Sequence, residues 1–485
     1  MLGLAQDVQS HILGMIGRLK YQLLERHFIH TIRIGLVLST VVLTLVMSVL
    51  LSNRGMIGLA VVGGIAGIVI LILLYKNMAH AAIMLLVTST ILEIRLPNDL
   101  SFTLLLLITF TLFWLVRLLL VERSFRSVRP TVLNYIVLMW AISVTISFLW
   151  SSHYVEPAVR HLQDSKLLPR LSTLFVMILS PVGMLIFANF LRTLDDIKRV
   201  IWYFIAFSAV NIVFFMPLTR ALVPPNLTTE GQWGAWASIF ALGQILYNPK
   251  LSRRMRVFLI AFLAACCWVL VGLRFEWLSG WVPLLIGCTV VIFLRSKVGF
   301  VVLMILLLVY GVIQREAINA TFTEEQAASG DTRAAAASTA LTIAENHFLF
   351  GTGPAGYFFY MTVDDSWMFQ LSHNTYVDMF AENGIVGFVI YVGMWLGVGW
   401  VVLRTYLVAP KRGFEGGLAA SLAGIYPATL VLMGLGDWGI PFTYTQTMGG
   451  VRYTIWLWLW AGMAIALRYL VQHHALQTQS AAQSA

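Results

Sequence analysis

Long apolar segments alternate with short polar stretches along this chain, and that alternation restricts the folds open to it. A helix needs about 20 apolar residues to cross a bilayer. Segments close to that length lie near 33–52, 56–75, 78–94, 101–121, 132–150, 171–191, 199–217, 233–247, 257–273, 277–294, 298–313, 385–403, 416–434 and 451–470. Residues 78–94 and 233–247 are short enough to be re-entrant or half-buried. We predict an all-α, polytopic integral membrane protein with about 14 transmembrane helices, within a range of about 12–14.

Composition excludes a soluble protein. Hydrophobic residues make up 59% of the 485 residues and charged residues only 11%, and the mean hydropathy is +0.83. Soluble domains are about half apolar and about a quarter charged. The lipid bilayer is therefore the first partner that the sequence predicts.

The distribution of charge predicts the orientation in the membrane. With the N-terminus inside, the inner segments hold 22 of the 32 Lys and Arg, whereas the outer segments hold 16 of the 22 Asp and Glu. Because cytoplasmic loops carry the excess of Lys and Arg, both termini are predicted in the cytoplasm. The net charge of +10 then reflects orientation and attraction to anionic lipid, and no nucleic-acid partner is expected.

This orientation divides the chain into five regions. Residues 1–30 resemble an interfacial amphipathic helix on the cytoplasmic side, and 31–313 form an N-terminal transmembrane bundle. Residues 314–384 form one large outward-facing loop with short helices, which we interpret as the catalytic loop because long ordered loops concentrate function. Residues 385–470 form C-terminal transmembrane helices, and 471–485 form a cytoplasmic tail, predicted to be disordered from Leu476.

The loop ends in a segment whose histidine is a candidate general base. Ser372 is predicted to cap a helix that runs to about Glu382 and stops at Asn383-Gly384. His373 would then lie in the first turn, where the helix dipole favours the neutral imidazole that can accept a proton. A structural role for His373 is equally open on this pattern. The other outward histidines, His153, His161 and His347, are interpreted as structural.

Two arginines are candidates for binding an anion. Arg274 lies at the outer end of a predicted span and Arg333 follows Gly330-Asp331-Thr332 in the loop. Arginine at an apolar boundary marks a functional site by default, and two guanidinium groups that converge would suit a diphosphate. The alternative for each is an ion pair, with Glu276 and Asp331 respectively.

Two further patterns are weaker. The string from Gly351 to Gly356 satisfies G-x-G-x-x-G by letter, but no βαβ pattern surrounds it, so a dinucleotide site is excluded. It predicts a glycine-rich turn that either contacts an anion or is a plain loop. Asp364-Asp365 is the nearest candidate metal pair and is more typical of a solvated turn. We therefore expect no metal and no cofactor.

These motifs together resemble a known superfamily. From Thr332 to Gly387 the chain has Arg333, then the turn Asn346-His347-Phe348-Leu349-Phe350-Gly351-Thr352-Gly353, then His373-Asn374-Thr375-Tyr376, and then Ala381-Glu382-Asn383-Gly384. This order resembles the O-antigen ligase and polymerase superfamily, whose members have an Arg, a turn of this kind, and an HN-x-Y motif followed by E-x-G before a span. Around Arg274 the chain departs from the family, which usually has Ser before this arginine and a small residue after it, where this chain has Leu273 and Phe275.

The resemblance implies a function and a site. Family members move a glycan from a polyprenyl-diphosphate carrier on the outer face of the inner membrane of bacteria, without a metal. By resemblance His373 is catalytic and activates the acceptor hydroxyl, whereas Arg333 and Arg274 bind the diphosphate. Asn374, Tyr376, Glu382 and Gly353 would support them.

Three functions stay open on the sequence. The first is a ligase-like inverting glycosyltransferase that transfers a preassembled glycan to a glycan or glycolipid acceptor. The second is a repeat-unit polymerase of the same superfamily, for which the predicted span count leaves room because it exceeds that expected of the ligases. The third is a polysaccharide transporter or flippase, which the scarcity of intramembrane charges and the lack of duplicated halves disfavour.

Overall fold

The computed structural model describes residues 78–90, 101–216, 231–325, 330–364, 371–442, 446 and 448–484. The described helices are, in chain order, α1 (Met78–Thr90), α2 (Phe102–Val116), α3 (Val132–His153), α4 (Pro157–Ser165), α5 (Leu167–Phe190), α6 (Leu194–Phe215), α7 (Trp233–Tyr247), α8 (Arg253–Cys267), α9 (Leu278–Arg295), α10 (Lys297–Ile313), α11 (Arg315–Glu325), α12 (Asp331–Asn346), α13 (Tyr357–Asp364), α14 (Thr375–Val408), α15 (Phe414–Gly434) and α16 (Val451–Ser484). The widened turns Arg117–Glu122 and Trp268–Leu273 continue α2 and α8.

Nine helices within the described ranges are long and apolar enough to cross a membrane. They are α3, α5, α6, α9, α14, α15, the continued helices Phe102–Glu122 and Arg253–Leu273, and Met448–His473 within α16. Each coincides with a predicted span, so the all-α membrane fold is confirmed. The predicted spans 33–52 and 56–75 and the interfacial helix 1–30 lie outside the described residues, and the total of about 14 stays a prediction.

The three remaining predicted spans correspond to short helices. α1 and α10 are apolar but have only 13 and 17 residues, and α7 has 15. α7 is buried along most of its length and packs on α9 and α15, which agrees with its interpretation as a half-buried segment. α10 has no buried residue and exposes Val298, Leu308 and Ile313. Such an all-round apolar surface is typical of contact with lipid.

The chain forms two compact units. One consists of residues 1–81 and 113–127; in its described part, Arg117 forms an ion pair with Glu122 at 2.6 Å. The other consists of residues 82–112 and 128–485 and contains every residue discussed below.

Glycines bring the central helices of the larger unit into close contact. A Cβ atom on Gly243 of α7 would lie 2.5 Å from the Gly417 carbonyl oxygen of α15. A Cβ on Gly424 of α15 would lie 2.5 Å from the Gly287 carbonyl oxygen of α9. Membrane helices associate through such small residues because the backbones can then approach closely.

The predicted loop 314–384 folds largely into the helices α11, α12 and α13 and the start of α14. The short helices expected there are therefore present. α12 packs on α14 through Ala340, Ile343 and Ala344, in a cluster that also contains Tyr357 and Ala381. At the other end of the chain α16 continues to Ser484, so the disorder predicted from Leu476 is wrong for residues 476–484.

Candidate functional site

A glycine-dependent contact between two backbone segments forms the base of the site. Gly384 interrupts α14 with φ 62° and ψ −171°, a conformation that favours glycine. The Ile385 N–H donates to the Phe348 carbonyl at 2.7 Å, and the Gly353 N–H donates to the Glu382 carbonyl at 2.8 Å. These bonds pair the turn 348–353 with the break in α14. The predicted stop at Asn383-Gly384 is therefore a real break, after which the helix resumes.

The glycine-rich string has a packing role in this contact. Gly351 has φ +70°, and a Cβ on it would lie 2.4 Å from the Glu382 carbonyl carbon. The N–H groups of Gly351, Thr352 and Gly353 donate to the carbonyls of His347, Ala381 and Glu382. Because these donors are already used, the turn supports its neighbours, and the alternative of an anion-binding turn is not favoured.

The first turn of α14 differs from the prediction in one respect. Asn374 caps the helix, since its side chain accepts from the Tyr376 N–H at 3.0 Å and from the Val377 N–H at 3.4 Å. The predicted cap, Ser372, is wrong; its hydroxyl accepts from the Asn374 N–H at 3.1 Å. His373 lies just before the cap with φ +47° and is outside the first turn. Asn374, a predicted supporting residue, therefore sets the direction of the chain at His373.

The segment after α15 brings a carboxylate to His373. Asp437 lies in the connection between α15 and α16, and its Oδ2 is 3.3 Å from His373 Nδ1. The Thr375 hydroxyl donates to the Gly436 carbonyl at 2.8 Å, and the Trp458 indole N–H donates to the Gly439 carbonyl at 2.9 Å. The start of α14 and the side of α16 thus hold Asp437 in place from both sides.

The contact of His373 with Asp437 selects a tautomer. Asp437 is fully buried, whereas the His373 side chain is 31% exposed. A carboxylate oxygen only accepts, so Nδ1 carries the hydrogen and Nε2 is left with its lone pair. A carboxylate that orients an imidazole in this way is the arrangement found in histidine general bases. The geometry therefore suits proton acceptance at Nε2.

A second buried carboxyl group lies behind the first. The Asp378 carboxyl lies beside that of Asp437 and accepts at Oδ1 from Tyr357 Oη at 2.6 Å and from Ser372 Oγ at 2.5 Å. Burial and the adjacent Asp378 raise the pKa of Tyr357 well above its ordinary value, so this phenol stays a donor. The His373 ring thus contacts the outermost of two neighbouring buried carboxyl groups, and the inner one accepts hydrogen bonds from Tyr357 and Ser372.

The other predicted supporting residues surround the start of α14. The Tyr376 hydroxyl donates to the Leu430 carbonyl of α15 at 2.8 Å. Glu382 is fully buried, and its carbonyl also lies 2.8 Å from Ser147 Oγ of α3. A Cβ on Gly353 would lie 2.0 Å from Ser151 Oγ, so this glycine allows α3 to approach the turn. These contacts position the segment that carries His373.

Arg333 lies on the helix that packs against this segment. It is the third residue of α12 and shares a face with the buried Ala336, Ala340 and Ala344. Its Nε atom is buried although the residue is partly exposed. α12 contacts α14, the helix that begins shortly after His373, and the approach of Arg333 to His373 stays a prediction.

Arg274 contacts a different set of residues. It follows the widened turn Trp268–Leu273, and its guanidinium carbon lies 4.7 Å from the centre of the Phe215 ring and 5.8 Å from that of Trp277. Such contacts with aromatic faces stabilise a cation at an apolar boundary. Its convergence with Arg333 on one diphosphate stays a prediction.

His347 has a structural setting. Its Nε2 lies 3.4 Å from Glu156 Oε1, and its ring contacts Tyr360 at 4.7 Å between centroids. Burial lowers the pKa of His347, and the carboxylate of Glu156 opposes that change. These contacts join the end of α12 to α13 and to the residue before α4.

Sequence reasoning missed Asp437 and Asp378. A signal for both was available, because an ionisable residue within or next to an apolar span marks a functional site by default. Asp378 lies in the first turn of α14, shortly after His373, and Asp437 lies in Gly436-Asp437-Trp438-Gly439, in the connection between two spans. Within the described ranges, no group of three His, Cys, Asp or Glu side chains is arranged to hold a metal ion.

Fold and site together define a class, the multi-span helical membrane protein with a histidine–carboxylate pair at the start of a broken helix. A family model described as O-antigen ligase matches residues 231–392, which include α7, the candidate arginines Arg274 and Arg333, and α14 as far as Val392. No curated protein matches the chain. The resemblance to the O-antigen ligase and polymerase superfamily drawn from the sequence is thus confirmed over residues 231–392, which are similar to the O-antigen ligase family.

Proposed function

We propose that this protein is a glycosyltransferase of the bacterial inner membrane that moves a preassembled glycan from a polyprenyl-diphosphate carrier to an acceptor hydroxyl on the outer face. One observation carries the proposal: the half-exposed His373 imidazole lies 3.3 Å from the buried Asp437 carboxylate. The pair lies at the start of α14. His373, but not Asp437, lies within residues 231–392, which match the O-antigen ligase model. A base of this kind is what activation of a hydroxyl requires.

In the proposed reaction His373 Nε2 accepts the proton of the acceptor hydroxyl while the oxygen attacks the anomeric carbon. The bond between that carbon and the diphosphate oxygen breaks, and the diphosphate departs with the electron pair. Direct displacement inverts the configuration at the anomeric carbon. Asp437 holds the Nδ1–H tautomer and stabilises the imidazolium that forms. Base catalysis contributes about 10²–10⁴-fold.

Arg333 and Arg274 are proposed to bind the diphosphate. The leaving group gains negative charge in the transition state, and guanidinium groups stabilise such charge through paired hydrogen bonds. With these two cations no metal ion is needed in the proposed mechanism. Transfer that stops on addition of EDTA and resumes with added Mg²⁺ would contradict this part of the proposal.

Transfer after substitution of the histidine tests the proposed base. We expect His373→Ala to insert and fold normally, to bind the lipid-linked donor, and to lose transfer by at least about 10²-fold. His347→Ala is the matched control, because His347 lies in the same loop region and contacts Glu156 rather than Asp437. Turnover per folded molecule and donor binding are measured on the same membranes. Normal turnover in His373→Ala would show that the imidazole is structural.

The acceptor decides between ligase and polymerase. As a ligase, the protein would join a finished glycan to a glycolipid, so its loss would leave long lipid-linked chains without an acceptor. As a polymerase, it would extend lipid-linked units, so its loss would leave single units only. Separation of the products of a deletion strain on a gel distinguishes the two outcomes, and we expect long unattached chains.

A further inference from the structure

The buried carboxyl pair behind His373 is used only in part by the reaction proposed above. Asp437 is 1% exposed and Asp378 is 2% exposed, and the two carboxyl groups lie close enough to act on each other. Two neighbouring buried carboxyl groups do not both ionise, and the proton that one of them keeps can be donated to the other. The pair therefore carries one negative charge and one hydrogen.

The remaining contacts indicate which aspartate holds that proton. Asp437 Oδ2 faces His373 Nδ1 at 3.3 Å, a donor that becomes cationic when the ring accepts a proton. Asp378 faces two neutral hydroxyl groups, of Tyr357 and Ser372, and both lie against the same oxygen, Oδ1. That arrangement leaves the second oxygen of Asp378 to carry the hydrogen and to donate it toward Asp437.

We propose that Asp378 is a positioning residue for the base: as a neutral carboxylic acid it donates a hydrogen bond to the Asp437 carboxylate, which in turn fixes the His373 tautomer. This inference rests on the proposed function of His373. The chain of donors then runs from both sides toward Asp437, from the Asp378 acid and from the His373 N–H. Asp437 is left with a single charge, which matches the single charge of the imidazolium formed during transfer.

Among the described residues, two further ionisable groups act on the pair. Tyr357 donates to Asp378, and Glu382, fully buried on the same helix, acts on the pair electrostatically. The buried Asp437 carboxylate beside Asp378 disfavours a second negative charge at this place.

Isosteric substitutions test the proposal. An asparagine at 378 can donate its amide N–H to Asp437 and accept from Tyr357 and Ser372, so it mimics the neutral acid. We expect Asp378→Asn to retain turnover at least tenfold above Asp378→Leu, which has no donor. At Asp437 the same change should abolish activity, because asparagine lacks the negative charge of aspartate. We expect Asp437→Asn to lose about 10²-fold or more of kcat and to bind the lipid-linked glycan donor normally.

The pH profile separates positioning from a purely structural role. In Asp378→Asn we expect kcat to fall at the same acidic pH as in the wild type. In Asp378→Leu we expect this fall to occur at higher pH, because the Asp437 carboxylate has lost the donor at 378 and His373 is then its main donor. Asp378→Asn as inactive as Asp437→Asn, with normal folded yield, would overturn the proposal. If instead His373→Ala transfers glycan normally, the proposed function fails and not the inference alone. Should Asp378→Leu not fold, the two asparagine variants still decide.

A cavity at the other end of α14 supports a second, independent inference. The straight part of the helix, from Ile385 to Val408, is about 36 Å long at 1.5 Å per residue, which exceeds the roughly 30 Å of a hydrocarbon core. At its far end lies a cavity of about 720 Å³ whose lining includes Lys198, Lys250 and Arg412. These residues come from the segments 192–199, 250–256 and 404–412. All three are inner segments in the orientation predicted from the distribution of charge.

The lining combines cations with an apolar wall. Lys250 and Arg412 are exposed, and neither forms an ion pair with any described residue, whereas Lys198 pairs with Asp195 at 2.9 Å. Trp202 and Phe414, whose ring centroids are 6.4 Å apart, belong to the apolar part of the lining. Glu415 is the carboxylate in the lining, so cations outnumber it.

We infer that this cavity binds the headgroup of an anionic phospholipid, with its phosphate on Lys250 and Arg412 and its upper acyl chain along Trp202 and Phe414. The cavity lies where α14 ends and α15 begins, and both helices are membrane-crossing by length and composition. Because the ends of such helices lie near the membrane surface, the cavity is placed at the depth of a lipid headgroup. Basic side chains near the membrane surface each contribute about 1 kcal/mol to attraction of anionic lipid.

Retention of phosphatidylglycerol on the purified protein tests this site. After reconstitution in nanodiscs of phosphatidylcholine with and without phosphatidylglycerol, we expect native mass spectrometry to show bound phosphatidylglycerol, and Lys250→Ala/Arg412→Ala to lose it. Arg256→Ala is the control, since Arg256 is an exposed cation of α8 that does not line the cavity. If both variants lost phosphatidylglycerol equally, the effect would be one of general surface charge. If the wild type retained inorganic phosphate as well as it retains phosphatidylglycerol, the cavity would be a site for a free anion. Either result overturns the lipid assignment.

Discussion

At the scale of single residues, the chemistry of this protein depends on how side chains from distant positions meet at His373. The imidazole comes from the residue before α14, its carboxylate partner from the connection after α15, and the donors behind that partner from α13 and Ser372. Each group is fixed by at least one contact with another element. A base held in this way loses little conformational entropy when the acceptor binds.

Arg333→Lys is expected to lose most transfer activity. An ammonium group cannot reproduce the two parallel hydrogen bonds of a guanidinium on a diphosphate oxygen pair. A charge-assisted hydrogen bond contributes about 1.5–3 kcal/mol, so kcat/KM should fall about tenfold to a hundredfold. The measurement is transfer from a lipid-linked donor at several donor concentrations, with Arg315→Lys, an exposed arginine of α11, as the matched control. Equal activity of Arg333→Lys and the wild type would exclude a bidentate role.

His347 provides a pH-dependent prediction for stability. Its pKa lies below the ordinary value of 6.5 because burial disfavours the charged ring. The folded state therefore binds its proton less readily than the unfolded state, so this contribution is present above pH 6.5 and is lost as pH falls through the lowered pKa. We expect thermal stability to drop less between pH 7 and pH 5 in His347→Gln than in the wild type. A steeper drop in the variant would mean that the Glu156 contact dominates.

The sequence predicted the site residues that lie close together in the chain and missed a residue that lies far from them. His373, Asn374, Tyr376 and Glu382 form one local motif, and the sequence placed all four in one short helix that ends at about Glu382. Asp437 was missed because the segment that holds it is separated from the motif by two further spans, and only tertiary contacts through Thr375 and Trp458 bring it back. The cap was assigned to Ser372 instead of Asn374, since both residue types cap helices equally well.

At the scale of secondary-structure elements, the break in α14 links the packing of the bundle to the site. The residues on either side of Gly384 pair with the turn 348–353 through backbone hydrogen bonds. This contact fixes the part of α14 before Gly384 relative to α3 and α12. It thereby also fixes His373 and Asn374, which directly precede the helix. The sequence predicted the break from Asn383-Gly384, but the partner of the break could not be predicted because backbone pairing leaves no pattern in the side chains.

Substitution of Gly384 should therefore damage folding and activity together. Alanine would have to adopt φ +62°, and its Cβ would lie 2.4 Å from the Leu349 carbonyl carbon. A left-handed conformation alone costs about 1–2 kcal/mol for a residue with a Cβ, and the close contact adds to it. We expect Gly384→Ala to lower both the thermal stability and the folded yield.

Gly393 offers the control in the same helix. A Cβ on Gly393 meets nothing within 4 Å, so Gly393→Ala should be tolerated or should stabilise the helix by up to about 1 kcal/mol. Thermal unfolding of both variants in the same detergent compares them directly. If Gly384→Ala were as stable as Gly393→Ala, the backbone pairing described here would be wrong.

At the scale of the whole molecule, the apolar pattern predicted the fold class, whereas the total number of spans stays a prediction. Each of the nine membrane-crossing helices among the described residues coincides with a predicted segment. The uncertain segments were the short ones, and α7 shows why: an apolar run of 15 residues can be buried among other helices instead of crossing the bilayer. Periodicity cannot distinguish these two cases, because both demand apolar residues on all sides.

The orientation in the membrane is the property on which the proposed reaction depends, and cysteine labelling tests it. We expect a cysteine at Asn319, an exposed residue of α11, to react with a membrane-impermeant maleimide from outside. A cysteine at Arg412, at the far end of α14, should react only after the membrane is opened. Both substitutions are made in a chain whose Cys266, Cys267 and Cys288 are replaced by Ala, since these native thiols are free. Reaction of both sites from outside would mean a wrong parity of spans between them. Reaction of Asn319→Cys only from the cytoplasm would place His373 on the side opposite to the one the proposed reaction requires, and the transfer at the outer face would have to be abandoned.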